Sequence, residues 1–301
     1  MTRDKNIFYK LRRFGQIMAY KLTTPETVSR LYFKIVLGYK LNLSNPQTFN
    51  EKMQWLKLYY WPKCQKAIKC ADKFGVREYI KSIGEERLLN DLLFVWNDVN
   101  EIKWEELPDR FVIKCNHGCG YNIICPNKTE FNIISAKKKI SKWMNEDFSL
   151  YNAEPHYSKI ERKIICEKFL DGEVINYNIY CLNGVPTFFS VAGGLGNGIS
   201  EHLTYYNIDG TEAPFKNRSY LTHNNILSDQ LPEMIATAKR LSAGFPFVRV
   251  DLFDINGKIV LSELTFTPGG ALIPFSPMTT DKELGKMLDI SSLIAEKERL
   301  L

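Results

Sequence analysis

The sequence contains no long, uniformly apolar run and no cysteine pattern typical of a disulfide framework. Its longest uncharged stretch, residues 174–200, holds four Asn, five Gly and one Pro, a composition that favours a strand pair over a membrane span. The seven cysteines are an odd number, and the first residues lack the three regions of a signal peptide. We therefore expect reduced thiols and a cytoplasmic protein.

Several catalytic signatures are also missing. There is no Walker pattern Gly-x4-Gly-Lys-Ser/Thr, no Cys-x2-Cys pair and no Asp-x-Asp, and neither an internal repeat nor a low-complexity linker occurs. These absences argue against a P-loop nucleotidase, a regular zinc finger and a metal-dependent glycosyltransferase. The 301 residues, of which 45% are hydrophobic, are enough for two or three packed lobes.

Positive charge is concentrated at the N-terminus. Residues 1–40 carry nine basic and two acidic groups, a net charge of +7, whereas the whole chain carries +6, so the other residues sum to −1. Over residues 1–44 we expect a basic helical segment that packs on the body as an ordinary solvated helix pair. Peripheral contact of residues 1–40 with an anionic membrane is the alternative, and nucleic-acid binding is not expected.

The remaining chain alternates helical and strand patterns. Residues 45–107 read as a helical lobe, with helices expected over 48–60 and 70–83. Residues 108–170 read as a small lobe of short strands around a glycine loop, with a helix over 135–144. Residues 171–301 read as a larger lobe with hairpins at 176–192 and 247–266 and a helix over 231–243. The predicted class is α+β with antiparallel sheets.

The last hairpin carries the densest set of charged residues. A two-residue turn at 256–257 would leave Glu263 on the face opposite to Asp251, because side chains alternate along a strand. A three-residue loop instead pairs Arg249 with Glu263 and places all three charged residues on one face. Two carboxylates beside a guanidinium suit a magnesium-bound polyphosphate. An exposed face with an Arg249–Glu263 cross-strand pair is the plain structural alternative.

A second candidate is Lys114, which ends a strand just before the loop 117–122 with its two glycines. Such a lysine places an ammonium on one phosphate while backbone N–H groups surround another. Lys73, beside Asp72 at an expected helix start, is a weaker basic candidate. A zinc site is the competing interpretation of this segment, although its spacings are irregular. Its ligands would be Cys115, His117, Cys119 and Cys125.

Taken in order, five segments resemble the ATP-grasp superfamily, and specifically its teichuronopeptide-biosynthesis-like (TupA-like) branch of bacterial surface-polysaccharide proteins. The resemblance extends over roughly residues 45–288. The matching segments are FNEKMQWL (49–56), DKFGVREY (72–79), LPDRFVIKCNHGCG (107–120), ICEKFL (165–170), and VRVD (248–251) followed by ELTFTPG (263–269).

The resemblance implies an ATP-grasp fold in which ATP lies between two antiparallel-sheet lobes, with ATP and Mg²⁺ as cofactors. It implies catalytic roles for Lys114 and Arg249, the latter at the transferred phosphate, and magnesium ligation by Asp251 and Glu263. The segment 167–170 would be the hinge that holds adenine. The residues that the resemblance places around the nucleotide are Lys73, Lys114, His117, Gly118, Gly120, Asn122, Glu167, Lys168, Phe169, Leu170 and Glu173.

Two positions depart from the family pattern. Asn176-Tyr177-Asn178 stands where we expect Asp-Tyr-Lys, so a basic contact and a ribose-side carboxylate are missing, and Glu173 is the candidate replacement for the carboxylate. Thr265 stands where many ATP-grasp enzymes have a metal-binding Asn, which is usual for this branch.

The activity that the resemblance implies is ATP-dependent ligation of a carboxylate to an amine through an acyl phosphate, adding an amino acid to a surface polysaccharide or its precursor. The alternatives are a glycosyltransferase of polysaccharide biosynthesis and an inactive ATP-binding module, the latter suggested by Asn178. Candidates for the border of the acceptor site are His202, Arg218 and the glycine-rich loop 193–198, although a polar surface loop is the simpler role for each.

Overall fold

The computed structural model describes residues 7–193 and 202–299, and it begins with a helix pair. Helix α1 spans Ile7–Leu22 and α2 spans Pro25–Leu37. Thr24 caps α2 by accepting the backbone N–H of Thr27 at 3.2 Å, and Gly38, with φ of 87°, ends the helix in the left-handed conformation. The basic segment is therefore helical over 7–22 and 25–37, whereas residues 38–44 are not helical. Residues 1–6, with Arg3 and Lys5, lie outside the described part.

Three short helices follow. Helix α3 spans Phe49–Trp55, begins with a capping box between Thr48 and Glu51, and continues as a π-helical turn over Leu56–Tyr60. Helices α4 (Gln65–Ala71) and α5 (Val76–Ser82) are separated by a turn at 72–75. The single helix predicted over 70–83 is wrong, because Asp72 is extended and its carboxylate accepts the N–H of Phe74 at 2.8 Å.

The smaller sheet has four antiparallel strands in the order β1-β4-β2-β3. They are β1 (Leu92–Trp96), β2 (Phe111–Cys115), β3 (Asn122–Cys125) and β4 (Ile164–Lys168). Helix α6, Ile133–Asn145, packs against one face of this sheet. The other face carries Lys114 and Glu167, since Glu167 lies directly opposite Val112 in the register.

The larger sheet has five antiparallel strands in the order β10-β9-β5-β6-β7. Between β7 and β9 the chain forms β8, a two-residue strand that pairs with β11, and helix α7. Helices α8 and α9 follow β11. The bounds are β5 (Val174–Leu182), β6 (Val185–Gly193), β7 (His202–Asn207), β8 (Lys216–Asn217), α7 (Leu231–Leu241), β9 (Phe247–Ile255), β10 (Lys258–Thr265), β11 (Phe275–Ser276), α8 (Thr279–Met287) and α9 (Ser291–Arg299).

Two hydrophobic cores stabilise these layers. The larger joins the five-stranded sheet to helices α2–α5 and α7, and the smaller joins the four-stranded sheet to α6, with Tyr157 packed against both. Domain boundaries at 44, 107 and 170 remain predictions, and most of the loop 193–198 lies outside the described residues. No helix within 7–193 and 202–299 is long and apolar enough to span a bilayer.

Candidate active site

The geometry of the β9–β10 hairpin differs from the predicted one. Its turn has two residues, Asn256 and Gly257, both with positive φ, so the three-residue loop and the Arg249–Glu263 pairing are wrong. A β-bulge between Leu261 and Glu263 then shifts the register, and Glu263 lies directly opposite Asp251. The expected convergence of the charged side chains on one face therefore occurs, but the bulge produces it.

The guanidinium of Arg249 forms a bidentate pair with Asp251. Its Nε and Nη2 donate to the two carboxylate oxygens at 2.6 Å each, while Nη2 lies 4.0 Å from Glu263 Oε1. Thr265, opposite Arg249 on β10, contacts both carboxylates through its hydroxyl, at 3.0 Å from Asp251 Oδ2 and 3.0 Å from Glu263 Oε1. These hydrogen bonds fix the orientations of the Asp251 and Glu263 carboxylates.

Burial and charge tune this cluster in different ways. Burial raises the pKa of Asp251 to about 6, although the Arg249 guanidinium acts to lower it. Burial also acts to raise the pKa of Glu263, but Lys73 and Arg249 outweigh it, so that this pKa is lowered. Burial opposes the charge of Arg249, yet the Asp251 carboxylate raises its pKa well above the ordinary value. Glu263 is therefore ionised over a wider pH range than Asp251.

Lys73 connects the turn at 72–75 to this cluster. Its Nζ donates to the carbonyl of Gly118 at 2.7 Å and lies 3.5 Å from Glu263 Oε2. The turn itself is held by Asn116, which donates from Nδ2 to Asp72 at 2.7 Å and whose carbonyl accepts the N–H of Lys73 at 3.3 Å. The ammonium thus lies between the glycine loop and a carboxylate of the larger sheet.

Lys114 and Glu167 form a second charged pair, on the smaller sheet. Lys114 Nζ donates to Glu167 Oε2 at 2.6 Å, and Arg77 Nη1 lies 3.5 Å from Glu167 Oε1. Their side chains are partly buried, between 10% and 21% exposed. Lys114 and Glu167 were both predicted site residues, whereas no role was predicted for Arg77.

The loop after β2 is anchored in the smaller core. His117 is buried, its Nε2 lies 3.0 Å from the Trp143 carbonyl, and burial lowers its pKa. A Cβ at Gly118 would lie 2.7 Å from the Tyr121 ring, so only glycine fits there. Gly120 has φ of 75°, and Asn122 lies opposite Lys114 on β3, on the same face. The loop thus presents backbone groups, while the His117 ring points into the core.

No zinc site is assembled in this segment. Cys115 and Cys125 lie at opposite ends of the β2–β3 pair, because Cys125 pairs with Phe111, four residues before Cys115. Four strand residues correspond to about 13 Å, far beyond the reach of one metal ion. Within the described ranges there is no group of three or more His, Cys, Asp or Glu side chains that could hold a metal.

Magnesium has different requirements, since it is often held by one or two carboxylates together with substrate phosphates. Asp251 and Glu263, which face each other across β9 and β10, offer the hard oxygens that this metal prefers. The donor set therefore fits magnesium on a polyphosphate and does not fit zinc.

The predicted hinge follows β4. Lys168 donates its backbone N–H to the Asp91 carbonyl at 3.0 Å, and Arg110 lies over the Phe169 ring at 4.1 Å. Residues 168–171 and the β9–β10 turn border a cavity of about 230 Å³. Ile255, at this cavity, is four residues along β9 from Asp251, or about 13 Å. Glu173 is exposed at the start of the chain leaving the hinge.

Some predicted positions lie elsewhere or have altered partners. Asn178 lies directly opposite Asp251 on β5, and its Nδ2 is 3.3 Å from Ser190 Oγ, while its buried Oδ1 has no partner. The departure from the family pattern is thus next to the carboxylate pair. His202 lies at the start of β7, and Arg218 borders a separate cavity of about 370 Å³.

A family model described as TupA-like ATPgrasp matches residues 51–289, whereas no curated protein matches the chain. Similar solved structures include D-alanine–D-alanine ligase from Helicobacter pylori, with 17% identity, a TM-score of 0.44, and coverage of 81% of this chain and 70% of that one. The same enzyme from Bacillus anthracis, complexed with ATP, has 16% identity, a TM-score of 0.45 and coverage of 77% and 70%. L-Amino acid ligase from Bacillus licheniformis has 14% identity, a TM-score of 0.45 and coverage of 74% and 49%. The predicted α+β ATP-grasp fold is confirmed, and the chain belongs to the TupA-like ATP-grasp family.

Proposed function

We propose that the protein is an ATP-dependent ligase that joins a carboxylate to an amine. The observation that carries this proposal is the pair of opposed carboxylates, Asp251 and Glu263, with Arg249 held against them. Lys73 extends the cluster towards the glycine loop, and Lys114 is paired with Glu167 on the smaller sheet. Membership of an ATP-grasp family supports the same function.

In this proposal, ATP lies along β9, with adenine at the hinge 167–170 and the phosphates at Arg249. Lys73 and Lys114 donate to phosphate oxygens, and the backbone of the loop 117–122 covers them. Asp251 and Glu263 hold magnesium, which neutralises phosphate charge when bound. The charged groups are already fixed by Thr265 and by the strands, so little reorganisation is needed as charge moves.

The proposed reaction has two steps. A carboxylate oxygen of the first substrate attacks the γ-phosphorus of ATP, and the bond from that phosphorus to the bridging oxygen breaks to release ADP. The amine nitrogen then attacks the acyl carbon, phosphate leaves with its bonding electron pair, and the nitrogen loses a proton. Arg249 stabilises the transferred phosphoryl group, because a guanidinium matches two of its oxygens.

For the substrates, we propose an amino acid and the uronate of a bacterial surface polysaccharide or of its precursor. Uronates supply the carboxylate that the chemistry requires, and the resemblance to surface-polysaccharide proteins supports this choice. Tyr180 and Tyr205, whose side chains are almost fully buried, lie on the sheet face that carries Arg249.

The test is release of ADP from ATP across a panel of amino acids and uronates, with and without magnesium. We expect release to require a carboxylate and an amine together. Saturating Mg-ATP should also stabilise the fold by about 2.7 kcal/mol at a hundred times its Kd. Absence of ADP release with every pair, together with an unchanged melting temperature, would reject the proposal. Hydrolysis of a nucleotide sugar instead would favour the glycosyltransferase.

A further inference from the structure

A third and larger cavity, of about 870 Å³, lies between the helix pair α1–α2 and the five-stranded sheet. Arg249, Tyr205 and Asn217 line it and are at most 18% exposed, so they form its inner end. Leu31, Ile35 and Val36 of α2 also line it but are between 40% and 69% exposed, so they form its mouth. The cavity therefore runs from an apolar mouth to a polar end at Arg249.

The outer surface of α1 continues this apolar character. Leu11, Phe14, Met18 and Leu22 follow helical spacing on one stripe, and they are between 38% and 74% exposed. With the three residues at the cavity mouth, this segment of 26 residues supplies seven of the 18 large exposed hydrophobic side chains of the described chain. We call these seven the apolar face. So many exposed apolar side chains within one short segment are unusual for a surface that contacts only water.

The charges around the apolar face select its partner. Residues 7–40 include seven basic groups and one acidic group, Glu26. That carboxylate already accepts from Arg30 at 2.8 Å and from the Tyr59 hydroxyl at 2.7 Å. A second copy of this chain would bring a face of the same positive charge and would be repelled. An anionic lipid surface matches both the apolar and the basic character.

We propose that the apolar face rests on an anionic membrane and that the cavity receives an amphipathic sugar carboxylate from it. The lipid chain leaves through the mouth at Ile35, and the carboxylate reaches Arg249, where the acyl phosphate forms. The carboxylate role of this inner end rests on the proposed ligase function, whereas membrane contact does not. The helix pair thus contributes a wall of the substrate site in addition to location.

The membrane part is tested by sedimentation with phosphatidylcholine vesicles that contain phosphatidylglycerol, at low and high salt. Phe14→Ser combined with Leu22→Ser should lower the partition coefficient by at least about tenfold, because two large apolar side chains no longer enter the lipid. Ile134→Ser combined with Ile226→Ser removes two even more exposed side chains elsewhere and should change nothing. Failure of the wild-type protein to bind, or an equal loss in the control, overturns the proposal.

The cavity part is tested by calorimetry with three probes. Octyl glucuronide carries both the chain and the carboxylate, glucuronate lacks the chain, and octyl glucoside lacks the carboxylate. Octyl glucuronide should bind at least about tenfold more tightly than glucuronate, since burial of two methylene groups alone gives that factor, and it should bind more tightly than octyl glucoside, which has no carboxylate for Arg249. Ile35→Asp should remove the advantage over glucuronate, while Ile134→Asp should retain it. Equal binding of octyl glucuronide and glucuronate to the wild-type protein overturns the proposal.

The melting temperature with Mg-ATP separates the two proposals. If Mg-ATP stabilises the protein and vesicles do not bind, the membrane inference fails and the ligase remains. If vesicles bind and Mg-ATP gives no stabilisation, the ligase proposal fails and membrane contact remains.

Discussion

Replacement of either opposed carboxylate by its amide should abolish turnover while leaving the protein folded. Asp251→Asn and Glu263→Gln each remove one charged oxygen ligand and keep the side-chain size. Loss of one such group from a phosphoryl-transfer site costs about 4 kcal/mol of transition-state stabilisation, or roughly a thousandfold in rate. We expect both variants to show this loss in ADP release.

Neither variant should lose much stability, which distinguishes chemistry from folding. Burial raises the pKa of Asp251, so the fold favours the neutral side chain, and Asp251→Asn, which keeps one acceptor oxygen for Arg249, should change the free energy of unfolding by about 1 kcal/mol or less. Glu263 is 28% exposed and lies 3.5 Å from Lys73, so Glu263→Gln costs about 1 kcal/mol or less. In a protein of this size the melting temperature falls by about 2–4 °C per kcal/mol.

A matched control is Glu233→Gln on α7. Glu233 accepts from Arg87 at 2.6 Å and from Arg240 at 2.9 Å, so it is an ion-paired carboxylate outside the cluster. This control should keep its turnover. The reasoning is refuted if folded Asp251→Asn and Glu263→Gln both retain near-normal turnover, or if their rates fall only in proportion to the unfolded fraction.

Three further predictions concern the loop and the carboxylate pair. Lys114→Ala should weaken ATP binding by at least about tenfold, while Cys119→Ser and a chelator of zinc should leave the melting temperature unchanged; a chelator-induced decrease would restore the zinc hypothesis. Gly118→Ala should lower stability by about 1–3 kcal/mol and weaken ATP binding, because the new methyl group meets the ring of Tyr121; unchanged binding would separate the loop from the site. Burial raises the pKa of Asp251 from 3.8 to about 6, so this group stabilises the fold fully below 3.8 and loses that contribution as the pH rises through about 6. Over the same window the affinity for Mg-ATP should rise as the carboxylate ionises, and both trends should be absent in Asp251→Asn, as titrations of unfolding and binding would reveal.

Many of the helices and hairpins could be predicted from the sequence, because hydrophobic periodicity and Asn-Gly turns depend on residues that are close together in the chain. It did not predict the bulge before Glu263, since nothing in the run Ile-Val-Leu-Ser-Glu requires one. Pairing with Asp251 across two strands, and packing of the neighbouring apolar residues, determine that shift. The prediction that Arg249, Asp251 and Glu263 share one face of the hairpin was therefore correct, although the predicted strand register was wrong.

Contacts between residues far apart in the chain could not be predicted from the sequence either. The approach of Lys73 to Glu263 joins residues 190 positions apart in the chain, and it depends on the break in the helix at Asp72. Helical spacing in this region predicted continuity because the apolar pattern continues through the turn. Likewise, the N-terminal charge suggested a membrane surface, but only the fold relates that segment to Arg249.

The ion pairs of the site have a thermodynamic consequence. Lys73 contacts Glu263, Arg249 contacts Asp251, and Lys114 contacts Glu167, so each cation is already compensated by the protein. A metal ion alone would compete with Lys73 and Arg249 for the carboxylates, and a nucleotide alone would draw those cations away and leave the carboxylates facing phosphate. Joint binding lets the cations transfer to phosphate while the metal replaces them. In the proposed site, magnesium and ATP are therefore positively cooperative, and each increases the affinity for the other by the same factor.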